Sequence, residues 1–134
     1  MKTLRESMIY LERHLSSLES KVLSETPSRD TVLNIEESHR YKITMSEKNR
    51  ACKILLHTFV GPKPSSLFEI RMTHEITVRF DREVSVEELE RELDFFVQPL
   101  GKDISYVCTI VCFEMIKDRI ILPPSIDIKM VKPL

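Results

Sequence analysis

Apolar residues recur near the start of the chain at Leu4, Met8, Leu11, Leu15, Leu18 and Val22, at steps of four, three, four, three and four. Such steps keep one face of a helix apolar, so the spacing predicts an amphipathic helix with an a/d seam of about three heptads. Arg5, Glu6, Glu12, Arg13, Glu19 and Lys21 form its polar flanks. Ser24 to Asp30, with Pro27, ends it. The pattern divides the chain into a heptad helix over 1–26 and an α+β domain over 31–134. That helix either packs on its own domain or acts as an oligomerisation or docking helix.

The middle of the chain reads as β. Thr31 to Ile35 is a short strand, and in His39 to Met45 the apolar Tyr41, Ile43 and Met45 alternate with Arg40, Lys42 and Thr44. From Ala51 to Val60 both faces are apolar: Cys52, Ile54, Leu56 and Val60 on one, Ala51, Leu55 and Phe59 on the other. That suits a strand covered on two sides. A loop is predicted at Gly61 to Ser66, where Gly61, Pro62 and Pro64 fall together. Then Phe68, Ile70, Met72, Ile76, Val78 and Phe80 share a face that only His74 interrupts, while Glu69, Arg71, Thr73, Glu75, Thr77 and Arg79 share the other. This period of two predicts an antiparallel strand with one wet side.

The last third turns helical. Ser85 and Glu88 form a capping box, and Val84 and Leu89 a hydrophobic staple. Val86, Leu89, Leu93 and Phe96 mark the apolar face of this helix. Pro99 restarts the chain. A second helix follows, with Ile104, Val107, Cys108, Val111 and Met115 on one stripe and Tyr106, Ile110 and Phe113 widening it. A helix apolar nearly all round is buried on several sides or faces a partner. The tail, Ile120 to Pro124, cannot continue the helix, and Ile126, Ile128 and Met130 give a weak extended pattern.

Composition narrows the function. At 134 residues the chain is one domain's worth. Its net charge of -1, from 20 basic and 21 acidic residues, argues against binding nucleic acid by bulk phosphate neutralisation. The loose basic cluster Arg40, Lys42, Lys48, Arg50 and Lys53 lacks interleaved aromatics. The only glycines, Gly61 and Gly101, exclude phosphate loops and dinucleotide fingerprints. Three cysteines, Cys52, Cys108 and Cys112, make no disulfide framework. The start has no signal-like apolar core, and the apolar run Ile104 to Met115 is too short to span a bilayer. A cytoplasmic protein with reduced thiols and no membrane insertion is expected.

Catalytic signals are weak. Cys108 and Cys112, one helical turn apart, would make half a metal site that Cys52, His57 or His74 would have to complete. Without closer-spaced ligands they read as buried apolar residues. His57 and His74 have no nucleophile pattern beside them and read as hydrogen-bonded histidines. The acids from Glu87 to Asp94 read as a solvated helix face. No catalytic residue, metal or cofactor is expected. More informative is an apolar surplus in the last third (Phe95, Phe96, Tyr106, Ile110, Phe113, Ile121, Leu122 and Ile126), beyond what a small sheet needs to cover one face. The remainder suggests an oligomer interface or an apolar groove.

Antiparallel strands, a short helix, a proline break, a longer helix and a prolyl apolar tail resemble the SecB-like export chaperones. The resemblance is most local at Gln98 to Ser105 and at Ile121 to Ile128, where Pro99, Ile104, Ser105, Leu122 and Pro124 match by position. Gln98 and Leu100 stand where that family has aromatics, and the N-terminal heptad pattern has no counterpart in it. The resemblance implies an α+β fold, with an antiparallel sheet of about four strands and two C-terminal helices on one face. It implies an ATP-independent chaperone, a homo-oligomer (dimer or tetramer), that holds unfolded polypeptide clients in apolar grooves, including for protein export. By apolarity and analogy the polypeptide-binding residues are Phe59, Phe68, Tyr106, Ile110, Phe113, Leu122 and Ile126. The family is acidic, whereas from Lys117 to Leu134 four bases face two acids, which leaves partnership with a translocase motor open. The alternative is a non-enzymatic adaptor or structural protein that uses the heptad helix for oligomerisation or partner recruitment.

Overall fold

A computed structural model describes residues 2–22, 34–63, 68–116 and 122–134. The strands are β1 (Met8–Val22), β2 (Asn34–Ser46), β3 (Ala51–Lys63), β4 (Phe68–Phe80) and β5 (Val131–Pro133). The helices are α1 (Val86–Arg91), α2 (Leu93–Val97) and α3 (Leu100–Ile116). The strands form one sheet in the order β1-β4-β3-β2-β5. β1–β4, β4–β3 and β3–β2 are antiparallel, while β5 runs parallel to β2.

The predicted N-terminal helix is a strand, and two bulges explain why its sequence reads as a helix. In the β1–β4 register, Leu11, Leu15, Leu18 and Val22 lie opposite Val78, His74, Met72 and Phe68, the face of β4 that packs on the helices. Pairing slips between Met8 and Tyr10, and again between Leu15 and Ser17, which leaves Ile9 and Ser16 as extra residues. A strand keeps a face only at even steps. A bulge adds one residue and turns a step of three into a same-face step. A bulged strand therefore reproduces the three-and-four rhythm of a heptad. The docking seam of Leu4, Met8, Leu11, Leu15, Leu18 and Val22 does not exist as a helix face; Leu4 is buried beside a short 3-10 turn, Arg5–Ser7. Residues 8–22 are an integral edge of the sheet rather than a separate N-terminal unit.

Deleting Ser16 tests this reading. Leu15 and Leu18 would stay on the covered face with Ser17 between them. The one contact known to be lost is the hydrogen bond from Ser16 Oγ to the Thr73 carbonyl, 3.0 Å. We expect the deletion to keep the fold and to cost about 1 kcal/mol, measured by thermal denaturation. In a helix the same deletion would rotate every later residue off the seam.

The other predicted strands are present with different membership. His39 to Met45 belongs to β2; residues 31–33 of the expected Thr31 to Ile35 strand lie outside the described residues. The expected loop at Gly61 starts later, since β3 runs to Lys63, and residues 64–67 lie outside the described set. β2 and β3 are joined through Glu47, Lys48 and Asn49, all left-handed at φ of 50, 56 and 64. Non-glycine residues there cost roughly 1–2 kcal/mol each. The turn is held by Phe80 N–H donating to the Arg50 carbonyl and Val84 N–H to that of Asn49, both 2.8 Å.

The helices cover one face of the sheet. The capping box forms as expected: Ser85 Oγ accepts from Glu88 N–H, and the Glu88 carboxylate accepts from Ser85 N–H. The single helix predicted after it is broken at Glu92 into α1 and α2, so three helices cover the sheet instead of two. Leu89, Leu93, Phe96 and Val97 are buried, as are Leu100, Ile104, Cys108 and Cys112 at successive turns of α3. Arg13, on the helix-facing side of β1, donates to the carbonyls of Phe96 (2.9 Å) and Phe95 (3.3 Å). It satisfies the carbonyls that end α2. The three cysteines are buried; burial pushes the Cys52 thiol up to about 11 and Cys108 up to about 12. Both stay protonated at neutral pH and are poor nucleophiles or ligands.

Candidate functional site: two open faces

The residues expected to bind polypeptide separate into three places. Phe68, Leu122 and Ile126 are buried in the core and present no surface. Ile121 lies outside the described residues. Tyr106, Ile110 and Phe113 come together as an exposed stripe along α3 (67, 45 and 44% exposed), on the side away from the sheet. They are spaced four and three apart, so they share a face of that helix while Ile104, Cys108 and Cys112 hold the other face on the sheet. Leu18 and Val22 are also exposed, on the helix-facing side of β1. β1 is an edge strand; among the described residues it pairs only with β4.

Phe59 stands apart from these, on the opposite face of the sheet. No described helix covers that face, so the expected covering of β3 on two sides is not found; Leu55 and Phe59 are only half-buried. A cleft of about 610 Å³ crosses this face, lined among others by Ser17, Arg40, His57, Phe59, Arg71 and Thr73. The Arg71 guanidinium lies 5.0 Å from the Phe59 ring centre, in cation–π range. Sequence reading missed this cleft, because it is assembled from polar residues of four strands that looked singly like an ordinary wet face.

The histidines have structural partners. His74 is 1% exposed, and its Nε2 lies 2.6 Å from the Asp103 carboxylate at the start of α3. A carboxylate only accepts, so Nε2–H donates; Nδ1 has no partner among the described residues. His39 sits between Glu37 (3.0 Å from Nε2) and the Thr58 hydroxyl (2.8 Å from Nδ1). Acid, imidazole and hydroxyl in a row are the parts of a nucleophilic triad. Here His39 and Thr58 are 3% and 2% exposed, so no substrate reaches the hydroxyl and the row holds β2 to β3. His57 Nδ1 is 3.0 Å from Thr73 Oγ1, within the outer cleft. Tyr41 donates to the Glu90 carboxylate at 2.6 Å; that bond, with burial, pushes the phenol up to about 12. Among the described residues, no group of three or more His, Cys, Asp or Glu is placed to hold a metal ion. None of their helices is long and apolar enough to cross a membrane.

No protein-family model matches this chain, and no curated protein matches it. Among solved structures it is similar to the Mycobacterium tuberculosis Rv1957 SecB-like chaperone, in complex with a ChAD peptide from the Rv1956 HigA1 antitoxin. The TM-score is 0.74 over 90% of this chain and 92% of that one, at 9% sequence identity. The fold is SecB-like. At that identity the similarity is one of backbone course, so a SecB-like arrangement can be reached with few shared side chains. The similar protein is a SecB-like chaperone.

Proposed function

We propose that this chain is an ATP-independent chaperone that binds unfolded or non-native polypeptides, export precursors among them, and that it works as a cytoplasmic homo-oligomer. The observation that carries this reading is the exposed stripe of Tyr106, Ile110 and Phe113 on a SecB-like fold. Binding of many sequences needs exposed apolar area and few fixed polar contacts, which this stripe offers. The edge of β1, flanked by Leu18 and Val22, adds main-chain groups to which an extended client pairs as a further strand. The adaptor alternative loses its basis, since the helix it required is β1.

The test is suppression of aggregation. A denatured client is diluted from denaturant into the protein without nucleotide, and light scattering is followed. Suppression should saturate at a fixed ratio, and a Tyr106→Ser/Ile110→Ser/Phe113→Ser variant with wild-type circular dichroism should lose it at least several-fold. No suppression at several-fold excess of protein would overturn the reading. A triple variant that suppresses fully but sediments as a smaller species would assign the stripe to subunit contacts and move the client surface elsewhere.

A further inference from the structure

The outer face of the sheet carries a charge pattern that the chaperone reading does not use. The registers place Lys132, Arg40, His57, Thr73 and Ser17 in one row across all five strands. Arg40 lies beside Lys132 on one side and His57 on the other. Lys42 is the next residue of β2 on this face. In the neighbouring row, Arg71 lies opposite Phe59. The cations over β1, β4 and the start of β3 are largely matched: His14 and Lys53 contact Glu75 (3.6 and 2.9 Å), and Arg79 contacts Glu47 (3.6 Å). Arg40, Lys42 and Lys132 are exposed, and among the described residues their side chains make no hydrogen bond or ion pair. Arg71 has only a 3.6 Å contact to Glu69, while its guanidinium leans over Phe59.

Arg40 and Arg71 line the cleft together with one aromatic ring and the hydroxyls of Ser17, Ser38 and Thr73, and Lys132 and Lys42 extend the unmatched positive charge from Arg40 across the outer face. Glu19 is the one acidic side chain in the lining; it lies opposite Arg71 in the β1–β4 register and 3.6 Å from Lys21. Five strands at their usual spacing span roughly 19 Å, the length of about six extended residues. We propose that this face docks an extended acidic segment of a partner protein. Its carboxylates would meet Arg40, Lys132 and Arg71, and an apolar side chain would lie against Phe59. Charge complementarity argues for this occupant: a near-neutral chain concentrates unmatched positive charge here, and a carboxylate with Arg makes the stronger, planar kind of ion pair. The proposal does not depend on the chaperone reading, because the stripe on α3 lies on the other side of the sheet.

The test uses the full chain and fluorescence anisotropy with two labelled hexapeptides, one alternating Glu with Phe and one alternating Lys with Phe. At low salt the Glu peptide should bind at least ten-fold more tightly, and the preference should fade as salt is raised. An Arg40→Glu/Arg71→Glu variant should reverse the preference. Arg40→Gln, a milder change at an exposed position, should weaken the Glu peptide about three-fold and serves if the double variant does not fold. Tyr106→Ser/Phe113→Ser should leave the preference for the Glu peptide unchanged. Equal binding of the two peptides, indifference to Arg40→Gln, or loss of the preference on changing the α3 stripe would each overturn the proposal. Displacement of the Glu peptide by an equal concentration of oligothymidylate would also overturn it, by making the face a phosphate reader.

Discussion

Replacing Phe96 with alanine should destabilise the fold by about 3–5 kcal/mol, the usual cost of emptying a fully buried aromatic site. Phe96 is 0% exposed on α2, the five-residue helix after the break at Glu92. Its ring meets Phe95 edge-on, with centroids 5.3 Å apart and planes at 72°. Arg13 of β1 bonds the Phe96 carbonyl, so the residue ties the edge strand to the helix layer through both side chain and backbone. Domains of this size are stable by roughly 5–15 kcal/mol, so the change removes about a fifth of the stability or more. Urea unfolding should show a lower midpoint with an unchanged slope. Tyr106→Ala, at an exposed site, should stay within about 0.5 kcal/mol. Equal costs at the two positions would mean that α2 is not packed as described.

Gly101→Ala should detach the C-terminal segment, β5 included, while β1 to β4 stay paired. A Cβ on Gly101 would stand 2.3 Å from the Pro124 carbonyl oxygen and 3.0 Å from its carbon. These are backbone atoms, with no flexible side chain to move aside. The strain of forcing extra atoms into a packed site, about 1–3 kcal/mol, falls on contacts that fix residues 122–126. Ser105 Oγ donates to the Leu122 carbonyl at 2.9 Å, and Ile126 N–H donates to Gln98 Oε1 at 3.1 Å, with the Gln98 amide returning to the Ile126 carbonyl. Beyond them β5 pairs with β2, and Leu134 N–H donates to the Tyr41 carbonyl at 2.9 Å. Hydrogen exchange should show faster exchange at Ile126 and Leu134, with protection kept in β3 and β4. Wild-type protection at Ile126 would show that the first turn of α3 yields instead.

Several elements were determined by the sequence by itself, because their signals are local. The alternation from Phe68 to Phe80 reproduces the burial of β4 residue by residue, with His74 the polar exception on the covered face. Ser85 and Glu88 carry their cap within one turn, and the apolar residues from Leu100 onward specify α3. Tyr106, Ile110 and Phe113 were legible as surplus, since the sheet face of α3 was already filled by other residues.

The tertiary structure decided what depends on a neighbour. Whether Met8 to Val22 is helix or strand turned on two bulges, and a bulge exists only against a partner; here that partner is β4, more than forty residues away. β5, three residues long, carries no period and is a strand only because β2 lies beside it. Phe68, Leu122 and Ile126 looked available for binding because apolarity is a property of the residue, whereas exposure depends on what packs over it. The row across the outer face is the clearest case. Lys132, Arg40, His57, Thr73 and Ser17 are scattered through the chain and become a row only when five strands come into register, since interstrand pairing brings residues together without regard to their separation in sequence.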